Sequence, residues 1–346
     1  MTKREWLDLG LVLGAGNDRV AFTTETGLPR ECLPGMATDG AVRRLAEILA
    51  TGARMINAPL YRLTSINVAP GGISGSLGLI HFVDYALTLD LLENELIDSL
   101  SVGGTDTPQD LPLRSYYLPT TSSLVDLNSR ICAGGPLALF AIARSRRSRK
   151  GASPDYALLI QERSGHVLNS ARRLAVIPKA FHQPLVDFSD EAQLSATLER
   201  ELEEELFGRP EVDSTLGEQR LADPMHEESL SAPMRWLMEN ADQKIWRIEC
   251  VGFGINSMTG CFEAPCLIVI DDETWWDRFG GSIQANWETE GLRRYSSLDQ
   301  EIITELIDDP AWSNEGLFAF LQGLRRLGEI GGQRVNLPSI GLKLDG

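Results

Sequence analysis

Residues 198–207 read LERELEEELF, six charges in ten positions, five of them acidic. An α-helix advances about 100° per residue and sorts this run into separate arcs. Glu201, Glu204 and Glu205 share one arc, and Leu198, Leu202 and Leu206 lie on the adjacent one. Glu203 points away from both. The spacing therefore predicts a helix over 190–207 that buries a leucine stripe beside a carboxylate face. Like charges at i,i+3 and i,i+4 repel by some tenths of a kcal/mol per pair. No lysine is interleaved there, and only Arg200, four residues before Glu204, offers relief. Two readings follow. One is a solvated face of an acidic protein. The other is a locus for a hard divalent cation, Mg²⁺ or Mn²⁺, which prefers oxygen ligands and keeps part of its water shell.

At 346 residues the chain is long enough for two domains. An apolar fraction of 43% and a charged fraction of 23% exclude extensive disorder. The formal net charge of -17 repels nucleic acid and anionic membrane surfaces, so neither is expected as a partner. The five cysteines, Cys32, Cys132, Cys250, Cys261 and Cys266, contain no C-x-x-C pair and read as buried reduced thiols. Glu5 and Asp8 interrupt any signal-peptide-like region, and no apolar run approaches the ~20 residues of a membrane span. The expected compartment is the cytoplasm.

The pattern of apolar runs gives an α+β (α/β) class. GAVRRLAEILATGA (40–53) reads as a helix, and YRLTSINVAP (61–70) and LGLIHFVDYAL (77–87) as strands joined by the loop GGISGS. LDLLENELIDSL (89–100) reads as a helix. These form a smaller α+β domain over 1–125, whose role could be to shape a pocket, to dimerise or to dock a partner. A second domain over 126–335 opens with the strands GGPLALFAIARS (134–145), DYALLIQERS (155–164) and RLAVIPKAF (173–181). The acidic helix follows, then a polar insertion, a short helix in SAPMRWLMENA, and the strands KIWRIECVGFGIN and CFEAPCLIVIDD. LRRYSSLD is a short strand, DQEIITELID a helix, and EGLFAFLQGLRRLGE (315–329) the closing amphipathic helix. Residues 336–346 are a tail.

Other motifs carry less. VLGAGNDR lacks the third glycine of a dinucleotide fingerprint and reads as a turn. APGGISGSLG has no Gly-Lys-Ser/Thr and reads as a hairpin loop. His81, His166, His182 and His226 show no zinc spacing. ARSRRSRK (143–150) reads as a solvated hairpin tip, with phosphate binding as the alternative. Trp275 and Trp276 read as core anchors.

The stretch 200–205 resembles the core of the Nudix box, R-E-U-x-E-E, where U is a bulky aliphatic residue. Arg200, Glu201, Leu202, Glu204 and Glu205 match it without a gap. The flanks depart. Phe207 and Val186 stand where the box has glycine, Ala192 stands where it has its earlier Glu (Glu191 is one place off), and Pro178-Lys179-Ala180 replaces the preceding P-G-G turn. The resemblance implies an α/β/α sandwich with a mixed sheet and a hydrolase that cleaves the pyrophosphate of a nucleoside diphosphate-linked substrate. It implies Mg²⁺ or Mn²⁺ held by Glu201, Glu204 and Glu205, with Arg200 orienting the carboxylates. Arg163, on the strand like the one that precedes the box, and Lys179 become candidate contacts to the nucleotide-like ligand. Glu290, and after it Glu288, become candidates for a further metal-binding or basic carboxylate. The departures also leave open a nucleotide-binding or regulatory protein of the same fold without turnover.

Overall fold

The computed structural model describes residues 1–14, 17–23, 35–103, 107, 110–145, 153–210, 225–241 and 245–341. Two strands that the sequence pattern does not announce open the chain, β1 (Leu7–Val12) and β2 (Asp18–Phe22), before α1 (Thr38–Thr51). β3 (Pro59–Ala69) and β4 (Gly72–His81) form a tight hairpin. GGISGS is thus mostly strand rather than loop, and FVDYA is the short helix α2 (Phe82–Ala86) rather than strand. His81 and Asp84 cap that helix reciprocally, which stops the strand there. α3 (Leu91–Ser101), α4 (Pro112–Tyr117) and α5 (Thr121–Val125) complete the first block.

The second block contains β5 (Gly134–Arg144), β6 (Asp155–Arg163), the short β7 (Leu174–Val176), α6 (Leu194–Glu201) and α7 (Ala232–Glu239). β8 (Trp246–Gly252), β9 (Gly254–Ile255), β10 (Phe262–Ile270), α8 (Glu273–Phe279), β11 (Thr289–Ser296), α9 (Gln300–Ile307) and α10 (Asn314–Ile330) follow. The main sheet runs β1-β8-β10-β5-β6-β11, with β7 on β6 and β9 on β10. Only β5 and β10 pair in parallel, so the sheet is mixed.

The apolar runs of β5 and β10 follow from burial on both faces. Leu137, Leu139, Ala141 and Ala143 pack toward α9 and α10. Ala138, Phe140 and Ile142 pack on the other side, with Leu198, Leu202, Leu206, Met234, Leu237 and Trp275. The sheet is therefore sandwiched between helical layers. Gly323 lets α10 lie close, since a Cβ there would sit 2.7 Å from Leu139. Trp275 is fully buried, as a core anchor is, and donates Nε1–H to Pro233 O at 3.3 Å.

A separate sheet, β2-β4-β3, belongs to the first block, yet its core residues Val20, Leu60, Leu63, Ile73 and Leu77 share one cluster with the second block. Tyr61 N–H donates to His182 O at 2.9 Å, and β1 pairs with β8. The two blocks are thus joined by backbone hydrogen bonds and a common core across residue 125. Cys132, Cys250, Cys261 and Cys266 are buried free thiols, while Cys32 lies outside the described residues. So do Gly16, residues 146–150 of the basic run and most of the polar insertion. Within the described residues no helix is long and apolar enough to cross a membrane.

Candidate functional site

The acidic run does not form one regular helix. A 3₁₀ turn at Asp190–Ala192 precedes α6, and Gln193 between them is extended. After Glu201 the backbone widens into a π-helical turn, Leu202–Leu206, closed by Phe207 N–H to Leu202 O at 3.1 Å. Such turns concentrate at functional sites because they redirect side chains locally. Leu198, Leu202 and Leu206 are fully buried, as the stripe predicts. Glu203 does point away from the other acids, but into protein: it accepts Ser231 N–H and Oγ–H, at 3.1 and 2.7 Å, and so holds the start of α7. Glu191, off register for the box, accepts the backbone N–H groups of Leu185, Val186 and Asp187 and staples that loop.

Glu201, Glu204 and Glu205 are all buried. Arg200 grips its neighbour Glu201 (Nη2 to Oε1, 3.3 Å) and Gln183 O (3.2 Å). Glu205 accepts Lys179 N–H at 3.2 Å. A distant segment is laced onto the π-turn, with Asn286 N–H donating to Glu205 O at 3.1 Å and Gln284 N–H to Leu206 O at 3.2 Å. That lacing delivers Glu288, whose carboxylate meets Arg163 Nη2 at 3.4 Å. Glu290 is exposed instead. It sits at the irregularity between Thr289, opposite Arg163, and Gly291, opposite Glu162, so the extra residue is turned outward. Of the two sequence candidates the structure brings Glu288, not Glu290, to the carboxylates.

These groups border a cavity of about 210 Å³. Glu201, Glu204, Glu288, Arg163 and Lys179 line it, and Glu205 lies behind them. Gly135 makes room at its floor, where a Cβ would come within 2.2 Å of Ala180 O. The first block supplies a wall through Arg54, Phe82 and Tyr85. Arg54 lies over the Trp287 ring, 4.4 Å from its centroid. Lys179 is not free, because Glu315 at the start of α10 holds its ammonium at 2.5 Å. Burial alone would raise Glu315, but Lys179 and Ser170 hold its carboxyl down at about 2. Burial pushes Glu201 well up, and Glu204 and Glu288 add to it against Arg200. Burial likewise pushes Glu205 up, helped by Glu288 and Glu201 and opposed by Arg163 and Lys179. Glu199, on the same helix, is raised by burial to about 7.

Among the described residues, the buried Glu205 Oε1, Arg163 Nη1 and Arg200 Nε meet no hydrogen-bond partner. Such atoms cost about 1–3 kcal/mol each, more when charged, unless something meets them. The all-oxygen donor set and its mutual repulsion suit a hard cation in kind and charge. In the arrangement seen, however, no three His, Cys, Asp or Glu side chains among the described residues converge closely enough to hold a metal ion. Sequence reasoning missed Glu315 and Glu263, which reach the cavity from segments without motif character; only Ser313, capping α10 two residues before Glu315, gives a local signal. Set against known proteins, the chain matches no family profile and no curated protein.

Proposed function

We propose that the protein is a Nudix-type hydrolase that cleaves the pyrophosphate of a nucleoside diphosphate-linked substrate with Mg²⁺ or Mn²⁺. The observation that carries this is the set of buried carboxylates Glu201, Glu204 and Glu205, with the half-buried Glu288, beside a cavity, where Glu205 Oε1, Arg163 Nη1 and Arg200 Nε have no hydrogen-bond partner among the described residues. Glu201, Glu204 and Glu205 would hold the cation. When bound, it supplies charge neutralisation and polarisation of the phosphoryl oxygens.

The chain's own groups do the rest. Arg163 Nη1 takes a phosphoryl oxygen. Arg200 fixes Glu201 so that its charge faces the site. Glu288 accepts a proton from the attacking water, whose oxygen adds to phosphorus as the bridging P–O bond breaks. The backbone wall of Gly135 and Ala180 keeps bulk water from the reacting face.

A second reading, ligand binding without turnover, is favoured by two observations. Among the described residues no three His, Cys, Asp or Glu side chains lie closely enough to hold a metal ion, and Lys179 is engaged by Glu315. One experiment separates the two. Nucleotide sugars, dinucleotides, nucleoside triphosphates and ADP-ribose are offered with Mg²⁺ or Mn²⁺, and phosphate release is scored after phosphatase coupling. Turnover abolished by EDTA, and lowered roughly 10²–10⁴-fold in a folded Glu204→Gln variant, is the expected result. Equal rates for variant and wild type remove the mechanism, and binding without product on prolonged incubation selects the second reading.

A further inference from the structure

We infer, resting on the hydrolase reading, that the group joined to the diphosphate carries an alkylammonium charge. The cavity lining carries two chemically different sets of groups. One set is Glu201, Glu204, Glu288 and Arg163. The other is Phe82, Tyr85 and Phe181, with the carboxylates of Glu263 and Glu315. Phe82 and Phe181 pack edge to face at 5.6 Å between centroids, and Tyr85 is tilted against both, at 5.1 Å from Phe181 and 6.2 Å from Phe82. Aromatic faces beside carboxylates attract ammonium groups through the ring quadrupole and the acid charge together.

Glu263 is the deciding residue of the second set. It sits near the start of β10, opposite Gly135, and no hydrogen bond from the described residues reaches its carboxylate. Lys179, the nearby cation, is already spent on Glu315. Burial and the charge of Glu315 outweigh Lys179 and the Met1 ammonium, so the Glu263 carboxyl is pushed well up. A cation arriving from the cavity would supply the partner that the protein does not.

An independent observation calls for the opposite charge beside the first set. Arg163 is 6% exposed, lines the same cavity and has Nη1 without a partner. One ligand answers both: a phosphate group toward Arg163 and an ammonium toward Glu263. Hydrolysis adds water across the P–O–P bridge and yields a nucleoside monophosphate and a phosphorylated amino alcohol.

The test is calorimetry on the full chain with phosphocholine and with 3,3-dimethylbutyl phosphate, its uncharged isostere. Phosphocholine should bind at least tenfold more tightly, and Glu263→Gln should bring the ratio close to one while leaving the isostere's affinity unchanged. Should Glu263→Gln fail to fold, Phe181→Leu must lower the ratio instead. Equal affinities in the wild type, or a ratio that neither variant lowers, overturn the inference. The assay needs no turnover, so it stands apart from the hydrolase reading. Cleavage of nucleotide sugars without any preference for the cationic ligand sinks the inference alone. Selective phosphocholine binding without hydrolysis of any diphosphate sinks the hydrolase reading alone.

Discussion

Glu249 and Glu205 are both buried carboxylates, and they are treated in opposite ways. Glu249 is 2% exposed on β8, gripped by Arg247 Nε at 2.8 Å and by Arg326 Nε at 2.5 Å. Glu205 is 0% exposed and receives one backbone N–H, while its Oε1 faces no donor. A buried charge with a full set of partners ties elements together, here β8 to α10. A buried charge with a gap weakens the fold and persists where something else fills the gap. The acids of this protein sort by that test. Asp155, paired with Arg144 at 2.6 Å, and Glu203, with Ser231, stand with Glu249. Glu205 stands apart.

The largest expected effect concerns a satisfied neutral group that resembles Glu249 in its partners but not in charge. His182 is fully buried, with Nδ1 at 2.8 Å from Thr197 Oγ1 and Nε2 at 3.0 Å from Ala192 O. Burial lowers it to about 3 from its usual 6.5. Its stability is present above pH 6.5, where folded and unfolded chains both leave it neutral. It is lost as pH falls, because the unfolded chain takes up the proton first. The loss is about 2 kcal/mol between pH 6.5 and 5 and approaches about 5 kcal/mol at pH 3. Urea unfolding across that range measures it, and an imidazole NMR titration showing protonation near pH 6 in the folded chain would refute it.

Next in size, Glu249→Ala should cost about 3 kcal/mol, since it strips one partner from each of two guanidinium groups. Asp271 and Glu329 still engage those arginines, which holds the loss to the lower end of the expected range. A loss below about 1 kcal/mol by urea titration would erase the distinction between the two kinds of acid. The smallest effect has the opposite sign. Glu205→Gln should stabilise the metal-free protein by about 1 kcal/mol by removing an incompletely partnered charge. It should also abolish the rise in melting temperature that Mg²⁺ or Mn²⁺ gives the wild type. A destabilised variant, or an undiminished metal response, would place Glu205 with Glu249.

Some of this was legible in the sequence. Long apolar runs mark β5 and β10 because both faces are buried, and the leucine stripe marks α6 because its period is local. Arg200, Glu201, Glu204 and Glu205 were found for the same reason: they lie on one turn. The misses have physical causes as well. β1 is short and finds its partner β8 about 240 residues away in sequence, a pairing that no local pattern encodes. The π-turn depends on tertiary contacts from Gln284 and Asn286, which a local helical period does not encode. Strand alternation puts Glu288 and Glu290 on one face, and the irregularity at Thr289–Gly291 undoes that equivalence. Glu263 sits in a strand whose apolar neighbours make it look like an exposed strand end, and only the fold turns it toward the cavity.

The lacing of residues 284–288 onto the π-turn has a consequence during synthesis. The leucine stripe can dock on β5 once the first 210 residues have left the ribosome, but Glu288 is translated some eighty positions later and Glu315 later still. Until then a nascent chain displays its glutamates on an unfinished pocket. A chain stalled once residue 280 has cleared the ribosome should therefore hold much of its central sheet and none of its chemistry.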